Sequence, residues 1–116
     1  MRKDILGMKE KRPELVQGTL DLLVLNTLRH GPLHGYGIAQ KILVASQNVL
    51  EVQQGSLYPA LHRLERKGLV TSEWKESENG RMAKVYELTP AGKKQLDTEV
   101  KDWKLYTDAI WSVLDH

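Results

Sequence analysis

Apolar residues along this chain recur first at helical, then at strand, then again at helical spacing. In "ELVQGTLDLLVLNTLRHGP", Leu20, Leu23, Val24, Thr27 and Leu28 follow an i, i+3, i+4, i+7, i+8 pattern. Leu15, Val16, Leu22 and Leu25 add apolar surface on other sides. A helix that is apolar over most of its circumference is expected at the centre of a core. Gly31 and Pro32 are expected to stop it, the first as a left-handed cap and the second because proline cannot continue a helix. "LHGYGIAQKILVASQN" reads as a second helix with Ile38, Ala39, Ile42 and Leu43 inward. Gly35 and Gly37 weaken its first turn by about 1 kcal/mol each relative to alanine. They are expected to admit another backbone at close range. "VLEVQQ" reads as extended or loop.

"GSLYPALHRLERKGLV" reads as a third helix with Leu57, Leu61 and Leu64 on one side and Pro59, His62, Arg63 and Arg66 on the other. Ser56 is the expected N-cap, since its hydroxyl can accept an orphan backbone N–H. That places Pro59 in the first turn, where its missing N–H costs nothing. Gly68 ends the helix. "LVTSEWKESENGRMAKVYELT" then shifts to β-branched and aromatic residues around Asn79-Gly80, a hairpin signal because both residues tolerate positive φ. Arg81 stands at the tip and Lys84 follows. Thr89-Pro90 pairs an N-cap with proline at N1, so a further helix begins there. Its Leu96, Val100, Trp103, Thr107, Ile110 and Leu114 are spaced as a heptad seam, flanked by Tyr106 and Trp111.

Three helices followed by a hairpin predict a mainly α fold with a β-hairpin, a winged helix-turn-helix. The third helix would be the recognition helix and the hairpin the wing. The last helix is long and one-sided, and the chain offers nothing further to cover it. Its cheapest partner is its twin in a two-fold homodimer. The expected organisation is a basic N-terminal arm over 1–13, a winged-helix domain over 14–89 and a C-terminal dimerisation helix over 90–116.

Composition narrows this. At 116 residues one domain is expected, and the absence of cysteine excludes disulfides and thiolate metal sites. The first residues lack the continuous apolar run of a signal peptide, and no segment reaches the roughly 20 apolar residues of a membrane span. A cytoplasmic location and no membrane partner are the expectation. Charge is unevenly placed. Fifteen Lys and Arg face ten Asp and Glu through Lys94, whereas two face five from Gln95 onward. The basic excess includes the arm residues Arg2, Lys3, Lys9, Lys11 and Arg12. His30 and His34 have the spacing of helical metal ligands, but Gly31 and Pro32 break the helix between them. No carboxylate pair, nucleophile elbow, glycine-rich phosphate loop or metal cluster is present, so neither an enzyme nor a cofactor is expected.

"LHGYGIAQKI", "GSLYPALHRLE" and "ENGRMAKVYELTPAG", in this order and spacing, resemble the PadR family of bacterial transcriptional regulators. The resemblance runs from about Leu15 to the end of the chain. It implies a winged-helix dimer that binds operator DNA, usually as a repressor. The single short C-terminal helix resembles the smaller subgroup, which includes multidrug-responsive repressors that bind ligands between subunits. Many members carry two tyrosines where this chain has Val85-Tyr86, and the arm is longer than in the usual pattern.

Side-chain chemistry assigns the expected roles. Gln53, Gln54 and Ser56, where the third helix begins, suit phosphates or base edges. Tyr58 offers a hydroxyl to phosphate and a ring to sugar, Pro59 shares its face, and His62 and Arg63 follow one turn on. Arg63 suits guanine or phosphate. Arg81 and Lys84 suit the minor groove or its phosphates. Lys41 on the second helix is a further candidate, with Tyr36 expected to pack. Arg66 and Lys67 are expected in water or on phosphate. Leu96, Val100, Trp103, Thr107, Ile110 and Leu114 form the expected dimer interface. Trp103 and Trp111 suit sandwiching a small aromatic or apolar effector, or simply pack. The alternative function is a winged-helix protein-interaction module without DNA binding, which would show an apolar patch on the third helix.

Overall fold

The computed structural model describes residues 17–116. The basic arm, Pro13, Leu15 and Val16 lie outside the described residues. Helix α1 (Gln17–Thr27) runs into a single 3-10 turn at Leu28–His30. Then come β1 (Leu33–His34), α2 (Gly35–Ala45), α3 (Gln54–Arg66), β2 (Val70–Glu76), β3 (Met82–Leu88) and α4 (Pro90–Leu114). The fold is mainly helical with a three-stranded antiparallel sheet in the order β1-β3-β2, a winged helix carrying one long extra helix.

α1 is the centre of the core, as its all-round apolar pattern requires. Leu20, Leu22, Val24, Leu25 and Leu28 are all buried. Ile38 and Ile42 of α2, Leu57, Ala60, Leu61 and Leu64 of α3, and Val70, Tyr86 and Leu88 of the sheet close around them. Each fully buried leucine contributes about 1.5–3 kcal/mol. Gly31 ends the 3-10 turn at φ +144 and ψ 172. That is not the expected left-handed cap, but it is a conformation that only glycine adopts readily. Leu33 and His34, expected in the second helix, instead pair with Tyr86 and Val85 of β3. Two residues are too few to show a strand period.

α3 begins earlier than its sequence suggests. Gln53, extended at φ −80 and ψ 147, is its N-cap residue and makes no side-chain cap. Its carbonyl accepts from the N–H groups of Ser56 and Leu57 at 3.0 and 2.9 Å. Ser56 is therefore inside the helix, and Pro59 lies in the second turn rather than the first. The Gly55 carbonyl loses its i+4 donor to that proline. Gly55 is exposed, so water can replace it. The other end follows expectation. Gly68 is left-handed at φ +76, and the Leu69 N–H donates to the Leu64 carbonyl at 2.9 Å, closing a Schellman motif.

The wing turn differs from a two-residue Asn-Gly turn. The Gly80 N–H donates to Ser77 O at 2.9 Å, and Ser77 N–H donates to Arg81 O at 2.7 Å. Only Gly80, at φ +81, has positive φ in this turn. This is a three-residue loop whose last residue is left-handed, with Asn79 accepting from Ser77 Oγ.

Thr89 caps α4 by accepting from the Gly92 N–H at 2.9 Å, with Pro90 in the first turn. A Cβ on Gly92 would lie 2.0 Å from the Leu69 carbonyl oxygen. The close backbone approach expected at Gly35 and Gly37 therefore occurs here. Leu96 is buried in the core of its own chain, which removes it from the expected dimer seam. Beyond it, α4 leaves the body of the fold with Val100, Trp103, Ile110 and Leu114 exposed.

Candidate nucleic-acid interface

With its leucine stripe spent on the core, α3 shows solvent the face that carries Gly55, Pro59, His62 and Arg66, with Tyr58 at its edge. Two clefts flank that edge. One runs between α2 and the start of α3 and is lined by Tyr36, Gln40, Gln53, Gln54 and Tyr58. The other, about 980 Å³, lies between α3 and the wing. Tyr58, His62, Trp74, Arg81 and Lys84 line it, with His34 at its α2 end. Tyr36 and Tyr58 stand on both.

The reason Tyr58 can stand there is Gly35. A Cβ on Gly35 would lie 2.6 Å from the Tyr58 hydroxyl, so the glycine accommodates a side chain rather than a backbone. His34 is the N-cap of α2, its Nδ1 accepting from the Gly37 N–H at 3.0 Å. That function, and the break at Gly31-Pro32, take it out of any helical metal pair with His30. Tyr36, expected to pack, is exposed, and its hydroxyl accepts from Gln40 Nε2 at 2.7 Å.

The floor of the wing cleft is polar and paired. Ser72 Oγ donates to Glu65 Oε2 at 2.6 Å, which ties β2 to α3. Burial, with smaller contributions from Glu65 and Tyr58, holds the Tyr86 phenol above its ordinary pKa, so it stays protonated at neutral pH. Lys84 Nζ stands 5.9 Å from the Tyr86 ring centre, within cation–π range.

The residues expected to contact DNA are not all brought together. Gln53, Gln54, Tyr58, His62, Arg81 and Lys84 line the two clefts, and Ser56 and Pro59 lie exposed on α3 beside them. Lys41 is elsewhere. It lines a depression between α1 and α2 with Asn26, Thr27 and Val44. Arg63 also differs from expectation. Its Nη2 lies 2.9 Å from Asp21 Oδ1 of α1, and the two side chains are 23% and 14% exposed. Its Nε is buried and unbonded. The fold uses Arg63 as a tie between α1 and α3. Sequence reasoning missed Trp74, which is 63% exposed on the wing. The signal was present: strand alternation puts Trp74 on the face of Ser72 and Val70.

Among the described residues, no three His, Cys, Asp or Glu side chains gather as a metal site, and no helix is long and apolar enough to cross a membrane. A profile of the PadR-like transcriptional regulators matches residues 24–98, from the last turn of α1 through the first turns of α4. The chain belongs to the PadR-like family. This PadR-like protein is a DNA-binding transcriptional regulator and not an enzyme. Transcriptional regulator Rv3488 of Mycobacterium tuberculosis is 36% identical over 83 residues, 72% of this chain and 74% of that protein. The structure of smu.1704 from Streptococcus mutans superposes with a TM-score of 0.76 and 28% identity, covering 86% of this chain and 90% of that one. A PadR family regulator from Clostridium difficile gives 0.71 and 28% identity, over 82% and 97%. The α3 face and the wing cleft gather most of the side chains that the sequence offers for DNA contact.

Proposed function

We propose that this PadR-like regulator acts in the cytoplasm as a homodimeric, effector-responsive repressor of a near-palindromic operator. Residues 14–89 would read DNA and the helix from Pro90 would pair the subunits. One observation carries the reading. A polar α3 face beside a cation-bearing wing is left open on the same chain as an apolar helix face, formed by Val100, Trp103, Ile110 and Leu114. Thr107 fits that apolar line, because its hydroxyl is turned back to donate to the Trp103 carbonyl at 3.0 Å. Two α3 helices would enter successive major grooves one duplex turn apart, with the wings on flanking backbone. Gln53, Gln54, Ser56, Tyr58, Pro59 and His62 would lead into the groove, and Arg81 and Lys84 would hold phosphate. The exposed α3 face is polar, which favours DNA over a protein partner as its ligand.

Trp103 and Trp111, both exposed on α4, would hold a flat apolar effector between subunits. Repression is relieved if the effector binds the two spacings of the reading heads unequally. Selection of bound sequences from a random DNA pool, with sedimentation of the complex, tests the reading. The expected result is an inverted repeat bound by two chains. A single asymmetric site bound by one chain would overturn it.

A further inference from the structure

The wing carries a large apolar side chain that the fold does not use. On β2 and β3, the pairs Val70–Leu88, Ser72–Tyr86 and Trp74–Lys84 lie on one face, in order outward from the core. The first pair is buried in the core, and Ser72 of the second is bonded to Glu65 of α3. The third pair is the first to pass the edge of the core, and it enters the cleft opposite Tyr58 and His62. A tryptophan offers roughly 150–250 Å² for burial, and Trp74 is left 63% exposed.

We propose that Trp74 and Lys84 form a grip on one nucleotide of the DNA backbone, with the indole packed on the deoxyribose and the ammonium on its phosphate. The proposal rests on the DNA reading above and adds a residue and a contact type to it. Charge complementarity selects the occupant. Arg81 and Lys84 flank the cleft, and its one lining carboxylate, Glu65, already accepts from Ser72. Geometry supports it too. Directly opposed residues on antiparallel strands hold their side chains about 5 Å apart at Cβ, a spacing suited to one sugar and its phosphate. The Tyr86 ring beneath Lys84 Nζ holds the ammonium over the cleft. The indole's share of the grip strengthens binding to any duplex and adds no ionic contact of its own. It reads no base.

The test uses the full chain and a mixed-sequence duplex of about 30 base pairs. Trp74→Ala should weaken binding about 10-fold while leaving the slope of log affinity against log salt unchanged, because no counterion is involved. Trp74→Phe should keep most of the affinity. The parent's tryptophan fluorescence should be quenched by the duplex, and Trp74→Phe should remove that quench while Trp103 and Trp111 remain. If the parent binds and Trp74→Ala binds equally well with the same quench, the grip is overturned. If Trp74→Ala changes the salt slope instead, the contact is not apolar and the proposal fails. A parent that binds no duplex at low salt overturns the DNA reading itself, and the grip with it.

Discussion

α3 and α4 are both amphipathic, and they dispose of their apolar stripes in opposite ways. α3 spends its stripe inside the fold, with Leu57, Leu61 and Leu64 each 2% exposed or less. What remains for solvent is tyrosine, proline, histidine and arginine. α4 spends only Gly92 and Leu96 on the fold, and what remains on the same line is Val100, Trp103, Ile110 and Leu114. At 25 residues it is about 37 Å long, so roughly two turns anchor it and the rest projects. The residue left over after folding is what suits each face to its proposed partner: a polar, cation-bearing face for a polyanion, and an apolar line for a second apolar line. One chain holds both because the core is already filled before α4 has passed its second turn.

The strongest way to break this contrast is at the anchor. Gly92→Ala places a Cβ against the Leu69 carbonyl, a backbone atom that cannot rotate away. The first turn of α4 must shift off the strand entrance, carrying Leu96 with it. We expect a stability loss of about 3 kcal/mol, the upper end of ordinary overpacking. Urea unfolding should show a lower midpoint at unchanged slope. An unchanged midpoint would mean that α4 is not held where it meets Leu69.

Next in size is Trp103→Glu, which leaves folding alone and attacks the projecting half. A carboxylate on the apolar line must be desolvated whenever two copies pair. The expected outcome is dimer dissociation at least 100-fold easier, about 2.8 kcal/mol at 1.4 kcal/mol per tenfold. Sedimentation should report monomer mass at concentrations where the parent is a dimer. The same substitution at exposed Arg66 of α3 should leave the mass untouched and weaken duplex binding. If Trp103→Glu keeps the parent mass, the apolar line is not the dimer interface.

Much of this contrast is legible in the sequence, and the misses share a cause. Periodicity finds the stripe of each helix, the hairpin and the Thr89-Pro90 start, because these are local. It does not say where a chain's own cover ends, so Leu96 reads as one more seam position although the core claims it. β1 is two residues long and has no period to read. Tyr36 and Arg63 fail for the same reason: each lies on the flank of a helix, where the neighbouring element decides between packing and solvent. The partner of Arg63, Asp21, is 42 residues earlier in the chain. The match between Gly35 and the Tyr58 ring likewise joins two separate elements. Pattern tells that Gly35 is small, and only the fold tells what fills the space.

The finest test separates a cation that holds the fold from one that faces the ligand. Arg63 and Lys84 look equivalent in sequence, since each is a basic residue on an expected DNA-contact element. Their surroundings differ. Arg63→Met removes one partner of a mostly buried ion pair and strands the Asp21 carboxylate, which should cost about 2 kcal/mol of stability. The number of counterions released on DNA binding should not change, so the salt slope stays with the parent's. Lys84→Ala should do the reverse. Its ammonium reaches over the Tyr86 ring into the cleft rather than into an ion pair, so stability should move by no more than about 0.5 kcal/mol. The salt slope should fall by about 1, the signature of one lost phosphate contact. Unfolding midpoints and duplex affinities across a salt series, measured on both variants, read both quantities. A lowered slope in Arg63→Met would return that arginine to the DNA surface, and an unchanged slope in Lys84→Ala would remove Lys84 from it.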